Sequence, residues 1–93
     1  MITIRWTPTA SGDLESIYDY IARDNSDAAS KVMQRISSAI EGLKSHPEMG
    51  RRGRAPGTRE LVSVPYIVTY RIRDSVVVIA NIVHSARRWR AAF

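Results

Sequence analysis

Ninety-three residues are enough for one domain, spanning 1–93, and no more: a chain this short buries only about 60 to 65% of its unfolded surface, so one core must serve everything. The absence of cysteine excludes disulfides, thiol nucleophiles and cysteine metal ligands, and fits a reducing compartment. Fourteen basic residues against nine acidic give a net charge of +5, and twelve of the fourteen are arginine, whose planar fork suits an anionic partner, either nucleic acid or an acidic protein segment.

Met1 to Trp6 reads as a strand, with Ile2, Ile4 and Trp6 alternating against Thr3 and Arg5 in the two-residue period of a half-buried sheet. Thr7-Pro8 stops it and starts a helix, since threonine caps well and proline suits the first helical position. Leu14, Ile17, Tyr18, Ile21 and Ala22 then recur at helical spacing, which predicts a first helix over 8–23. Asn25-Ser26-Asp27 breaks it and caps a second helix over 27–45, whose apolar face is Ala29, Val32, Met33, Ile36, Ile40 and Leu43. Pro47 forbids continuation. So short a break predicts an antiparallel helix hairpin.

Residues 47–58 hold prolines, glycines and Arg51, Arg52 and Arg54, and read as an exposed basic loop. Beyond it the period changes to two, predicting strands over Arg59–Val64, Tyr66–Arg73 and Val76–His84. A two-residue turn at Asp74-Ser75 would pair Arg73 with Val76, Arg71 with Val78 and Thr69 with Ala80. On that register one sheet face carries Tyr66, Val68, Tyr70 and Ile72 beside Val77, Ile79, Asn81 and Val83, and receives the helices. The other carries Ile67, Thr69, Arg71 and Arg73 beside Val76, Val78, Ala80, Ile82 and His84, a mixed basic surface suited to a partner. The fold class is therefore α+β: an N-terminal strand, an antiparallel helix hairpin and a three-stranded antiparallel meander.

His46 and His84 are too few for a histidine-rich metal site, and the carboxylates show no ligand spacing. No Gly-Lys-Ser/Thr follows the glycines at 50, 53 and 57, so a nucleotide phosphate loop is not expected. No metal and no cofactor are expected. No leader pattern opens the chain and no apolar run approaches the roughly 18 residues of a membrane span, which places it in the cytoplasm without membrane contact. His84, with Arg71 and Arg87, could do acid–base chemistry on an RNA backbone; a strand-end histidine is as readily a simple hydrogen-bonded residue. Arg59 and Glu60 point to opposite sides of a strand, and Glu60 suits a structural ion pair. The tail Arg87-Arg88-Trp89-Arg90 sets an aromatic among arginines and suits a target contact, with Trp89 equally able to cover a core edge.

In this order, Ala10-x-x-Asp13-Leu14-x-x-Ile17-x-x-Tyr20-Ile21, His46-Pro47-x-x-Gly50-Arg51, Gly57-x-Arg59-Glu60-Leu61, Tyr66-x-Val68-x-Tyr70-Arg71-Ile72 and His84-x-x-Arg87-x-Trp89 resemble the ParE branch of the RelE/ParE toxin superfamily, the plasmid stabilisation proteins. The resemblance covers nearly the whole chain. It implies a toxin of a type II toxin–antitoxin system, neutralised by a ParD-like antitoxin with a ribbon-helix-helix domain and an acidic C-terminal segment. Operator DNA would be reached only through that antitoxin. The superfamily divides by mechanism: RelE-like and YoeB-like members cleave messenger RNA on the ribosome, whereas ParE members inhibit DNA gyrase. The RNA-cleaving relatives carry Arg-Leu-Val-Tyr where this chain has Ile67-Val68-Thr69-Tyr70, and YoeB-like ones carry His-Tyr in place of His84-Ser85. With that arginine and tyrosine gone, the resemblance implies gyrase inhibition by binding and no catalytic residues. If the RNase alternative held, His84, Arg71 and Arg87 would carry it; a relic that only binds its antitoxin is the other alternative. Arg87, Arg88, Trp89 and Arg90 are the candidate target contacts, and Arg71, Arg73, Arg87 and Arg88 the candidate antitoxin contacts.

Overall fold

The computed structural model describes residues 1–86. Strand β1 (Thr3–Trp6) leads into helices α1 (Pro8–Ala22) and α2 (Ser26–Glu41), the latter extended by a 3-10 turn over Gly42–Lys44. Strands β2 (Arg51–Arg52), β3 (Thr58–Ser63), β4 (Tyr66–Arg73) and β5 (Val76–His84) follow. They form one sheet in the order β1-β5-β4-β3-β2, antiparallel except that β1 runs parallel to β5.

Local chemistry sets the helix boundaries. Thr7 adopts the extended cap conformation and its Oγ1 accepts the Ala10 N–H at 3.1 Å, while Pro8 occupies the first turn, where no N–H is needed. Asn25 Oδ1 does the same for the Ala28 N–H of α2 at 3.0 Å. The second helix ends at Glu41, four residues short of the expected limit at 45, and the 3-10 turn over Gly42–Lys44 tightens the chain ahead of Pro47.

The helices cover one face of the sheet. Ile36, Ile40 and Leu43 interlock with Ala10 from α1 and with Leu61, Val68, Tyr70, Val77, Ile79 and Ile82 from the strands. Full burial of each aliphatic side chain contributes roughly 1.5–3 kcal/mol. Ile4 and Trp6 of β1 pack against the edge of the same core.

The basic loop is more ordered than its composition implied. Arg51–Arg52 forms a short fifth strand against Arg59–Glu60, where a featureless loop was expected. A buried tyrosine holds it there: the Tyr70 hydroxyl donates to Pro47 O at 2.7 Å and accepts the Gly50 N–H at 2.9 Å. Gly50 must be glycine, because a Cβ would stand 2.6 Å from that hydroxyl and 2.9 Å from Glu60 O. Arg59 completes the clamp, donating to Gly50 O at 2.8 Å and Glu48 O at 3.2 Å.

Burial pushes the Tyr70 phenol above its ordinary 10.0, outweighing the opposing hydrogen bond from Gly50 and the charge of Arg59. The folded chain thus favours the protonated phenol. That stabilisation is complete below about pH 10 and is lost as pH rises through the raised value. Tyr70→Phe, which leaves Gly50 N–H and Pro47 O without this partner, is expected to lower the unfolding free energy by about 1–3 kcal/mol at neutral pH. In urea titrations the variant should also lack part of the wild-type loss of stability above pH 10.

Candidate functional site

Register decides which side chains the sheet shows to its surroundings, and β5 carries a bulge. Arg73 pairs with Val76 and Arg71 with Val78 as expected, but Thr69 pairs with Asn81 rather than Ala80, and Tyr66 with His84. One extra residue in β5 reverses the facing of everything after it. Ile82 and His84 therefore join the helix side, and Asn81 and Val83 turn to the open side, correcting the assignment that an unbroken two-residue period gives. The bulge is held from α1. The Thr7 hydroxyl lies 2.8 Å from Ile79 O and 3.0 Å from Ala80 O, and Asp13 Oδ2 accepts the Ile82 N–H at 2.9 Å.

The open face can now be read row by row. At one end, Thr3, Val76 and Arg73 align, followed by Arg5, Val78, Arg71 and Thr58. Asn81, Thr69, Glu60 and Arg51 form the middle row, and Val83, Ile67 and Val62 the far end. Arg5, Arg71 and Arg73 are exposed and make no ion pair among the described residues. Arg71 Nη1 reaches Pro56 O at 3.4 Å, which sets it beside the loop that carries Arg52 and Arg54. In the middle row the buried Glu60 carboxylate accepts from Arg51 Nε at 3.1 Å.

Charge is segregated across the molecule. Asp13, Glu15, Asp19, Asp24 and Asp27, five of the nine carboxylates, lie on α1, its connection to α2 and the first turn of α2, a stretch whose one cation is Arg23. The sheet and its loop hold Arg5, Arg51, Arg52, Arg54, Arg59, Arg71 and Arg73. An anionic partner is drawn to the sheet side.

His84 is separated from this basic face. Its ring stands edge-on to Tyr66 with centroids 5.5 Å apart, and its Nδ1 accepts the Ala86 N–H at 3.1 Å. It lines a groove of about 660 Å³ against α1 with Asp13, Ser16, Asp19, Tyr20 and Arg23. His84 and Arg71 thus sit on opposite sides of the sheet, and the structure does not bring them together. Arg73 lies with Arg71. Arg87, Arg88, Trp89 and Arg90 lie outside the described residues. Three positions were given no site role from the sequence: Arg5, whose place depends on parallel pairing with β5; Asn81, turned outward by the bulge; and Asp13, quoted only within a motif, whose carboxylate holds the Ile82 N–H. Among the described residues no group of three histidine, aspartate or glutamate side chains could hold a metal, and no helix is long and apolar enough to cross a membrane.

This architecture, a helix hairpin on one side of a mixed sheet and a basic face on the other, is that of small toxins of toxin–antitoxin systems. Residues 4–89 match the family described as the ParE toxin of the type II toxin–antitoxin system parDE, and the chain belongs to that family. It is 42% identical over 88 residues to the Sinorhizobium fredii protein Y4kP, described as a toxin, covering 92% of this chain and 91% of the relative. It is 40% identical over 88 residues to toxin RelE2 of Caulobacter vibrioides, covering 94% and 99%. Among solved structures, the chromosomal ParDE toxin–antitoxin system from P. aeruginosa superposes with a TM-score of 0.80 at 28% identity, covering 90% of this chain and 96% of that one. The YoeB–YefM complex of Staphylococcus aureus shares the fold with a TM-score of 0.59 at 16% identity, over 88% and 94%. The chain is a type II toxin of the RelE/ParE superfamily, and its solved neighbours include toxin–antitoxin complexes.

Asp13→Ala removes the acceptor for the Ile82 N–H next to the bulge. It is expected to cost about 1–3 kcal/mol in urea unfolding. Loosening of the register should also shift the amide resonances of Asn81 to His84 more than those of β3.

Proposed function

We propose that this toxin inhibits DNA gyrase by binding it, catalyses no reaction of its own, and is silenced by a ParD-like antitoxin. One observation carries the reading most: His84 and Arg71, two of the three groups that an RNase mechanism would need, do not share a face. His84 belongs to the groove beside α1, Arg71 to the open side of the sheet. At the position where RNA-cleaving relatives carry an arginine, Ile67 is 6% exposed between Val62 and Val83, an apolar patch with no cation in its row. Phosphodiester cleavage needs donors converging on the developing charge, and removing one such group typically costs roughly 2.7–4 kcal/mol of transition-state stabilisation. An open face of separated arginines and valines supplies contact area and charge instead.

Two surfaces divide the work in this reading. The basic face, with Arg71 and Arg73, receives the acidic segment of the antitoxin. The tail residues Arg87, Arg88, Trp89 and Arg90 contact the target, with Arg87 and Arg88 also available to the antitoxin. Operator DNA is reached through the antitoxin.

Induced expression without antitoxin, with growth, plasmid supercoiling and transcript integrity followed in one culture, tests the proposal. The expected result is growth arrest with altered supercoiling and intact transcripts, unchanged in His84→Ala. Toxicity that persists in a strain with toxin-resistant gyrase, or codon-periodic transcript cleavage lost in His84→Ala, would overturn it.

A further inference from the structure

The open face of the sheet presents cations that no carboxylate answers. Arg5, Arg71 and Arg73 on its strands and Arg52 and Arg54 on the adjoining loop are exposed and make no ion pair among the described residues. The bond from Arg71 to Pro56 O joins loop and strands into one surface. Glu60, the carboxylate of the middle row, is 5% exposed and taken by Arg51. At ladder spacing Arg71 and Arg73 stand about 7 Å apart along β4, and Arg5 stands about 10 Å from Arg71 across β5. Double-stranded DNA sets its phosphates on walls separated by grooves roughly 6 and 12 Å wide, so arginines at these spacings reach phosphates on either side of a groove. The planar guanidinium fork fits each phosphate with two hydrogen bonds.

We propose that, in the absence of antitoxin, this face lies on the phosphate backbone of double-stranded DNA, the duplex on which gyrase works. The inference rests on the gyrase reading above and adds DNA as a second contact beside the enzyme. What the face lacks selects the duplex. Single strands are held by stacking bases on aromatic side chains, and the rows of the open face contain none. Trp6, Tyr66 and Tyr70 pack into the core on the other side, and Tyr18 and Tyr20 lie on α1. Base reading in a duplex commonly uses a helix in the major groove, and both helices here cover the opposite side of the sheet. Contacts to phosphate alone fix orientation without regard to sequence. The carboxylates of α1 lie behind the sheet, so the charge distribution turns the open face toward a polyanion. The acidic segment of the antitoxin and the duplex then compete for Arg71 and Arg73, and operator DNA, reached through the antitoxin, is a separate contact.

Fluorescence anisotropy of labelled 20-base-pair duplexes of unrelated sequence, titrated with the full-length toxin over a range of salt, is the test, paired with supercoiling by purified gyrase. Five neutralised phosphates give a slope of about −4.5 in log K against log salt, so binding weakens by roughly 500-fold between 50 and 200 mM. Arg5→Gln and Arg71→Gln are each expected to lower that slope by about 0.9 and to weaken binding about eightfold at 0.1 M salt, equally on every sequence. Arg35→Gln, exposed on α2, should change neither. The Arg5→Gln, Arg71→Gln double variant should also need at least about tenfold more toxin to inhibit gyrase. Duplex binding that keeps its salt slope in both single variants, tighter binding to the separated strands than to the duplex, or undiminished gyrase inhibition by the double variant would overturn the DNA contact and leave the gyrase reading intact. Salt-dependent duplex binding by a toxin that leaves supercoiling untouched would overturn the gyrase reading instead.

Discussion

At Ala80, β5 carries one residue more than β4 opposite it, and α1 keeps that residue in place. A bulge interrupts the ladder and leaves backbone groups without strand partners, so it survives only where something else satisfies them. Here Thr7 takes up the carbonyl side from the N-cap of α1 and Asp13 the Ile82 N–H from its second turn. Thr7 also caps its own helix. One short segment therefore ends β1, starts α1 and sets the facing of the last four residues of β5. Ile82 reaches the core, at 3% exposure, only because of this shift.

The same shift determines what chemistry each side of the sheet can do. With an unbroken register His84 would lie on the face of Arg71, and a histidine among arginines would be a plausible centre for phosphodiester chemistry. With the bulge, His84 is turned against Tyr66 and α1, and the open face keeps arginines, valines, Thr69 and Asn81. Among the described residues such a face has charge and contact area and no histidine. Glu60 and Arg51 in its middle row are engaged with each other, so the exposed cations lie toward β1 and the β4–β5 turn.

Much of this was legible in the residues. Thr7-Pro8, Asn25-Ser26 and Asp74-Ser75 have local chemistry that fixes helix starts and the hairpin, and both appear in the structure; Asp74 takes the positive φ of 54° that such a turn demands. The helix stripes likewise depend on spacing alone. The bulge was not legible, because Val76 to Val83 is apolar enough on both sides that either facing satisfies a pattern of alternation. Nothing within β5 marks Ala80; the determinants are Thr7 and Asp13, some seventy residues away in sequence, with separations of 73 and 69. Parallel pairing of β1 with β5 is invisible for the same reason, and with it the neighbourhood of Arg5. The short β2 escaped notice because glycine, proline and arginine mark a loop, while the tyrosine that orders it lies two strands on.

Tyr70 shows why a toxin of this size can keep so basic a loop in one place. Arginines crowded into residues 51–59 repel one another and would favour a solvated, disordered segment. Against that, the Tyr70 hydroxyl secures both Pro47 and Gly50 from the core side, and Arg59 turns one of the cations into a donor for backbone carbonyls. Arg51 is neutralised by Glu60. Two of the loop's cations are thereby converted into structure, while Arg52 and Arg54 stay exposed and Arg71 reaches the loop at Pro56 O. The order of the loop then leaves the charges of Arg52 and Arg54 exposed. Attraction for an anionic partner and stability of the fold, which compete wherever like charges are concentrated, are met by different arginines.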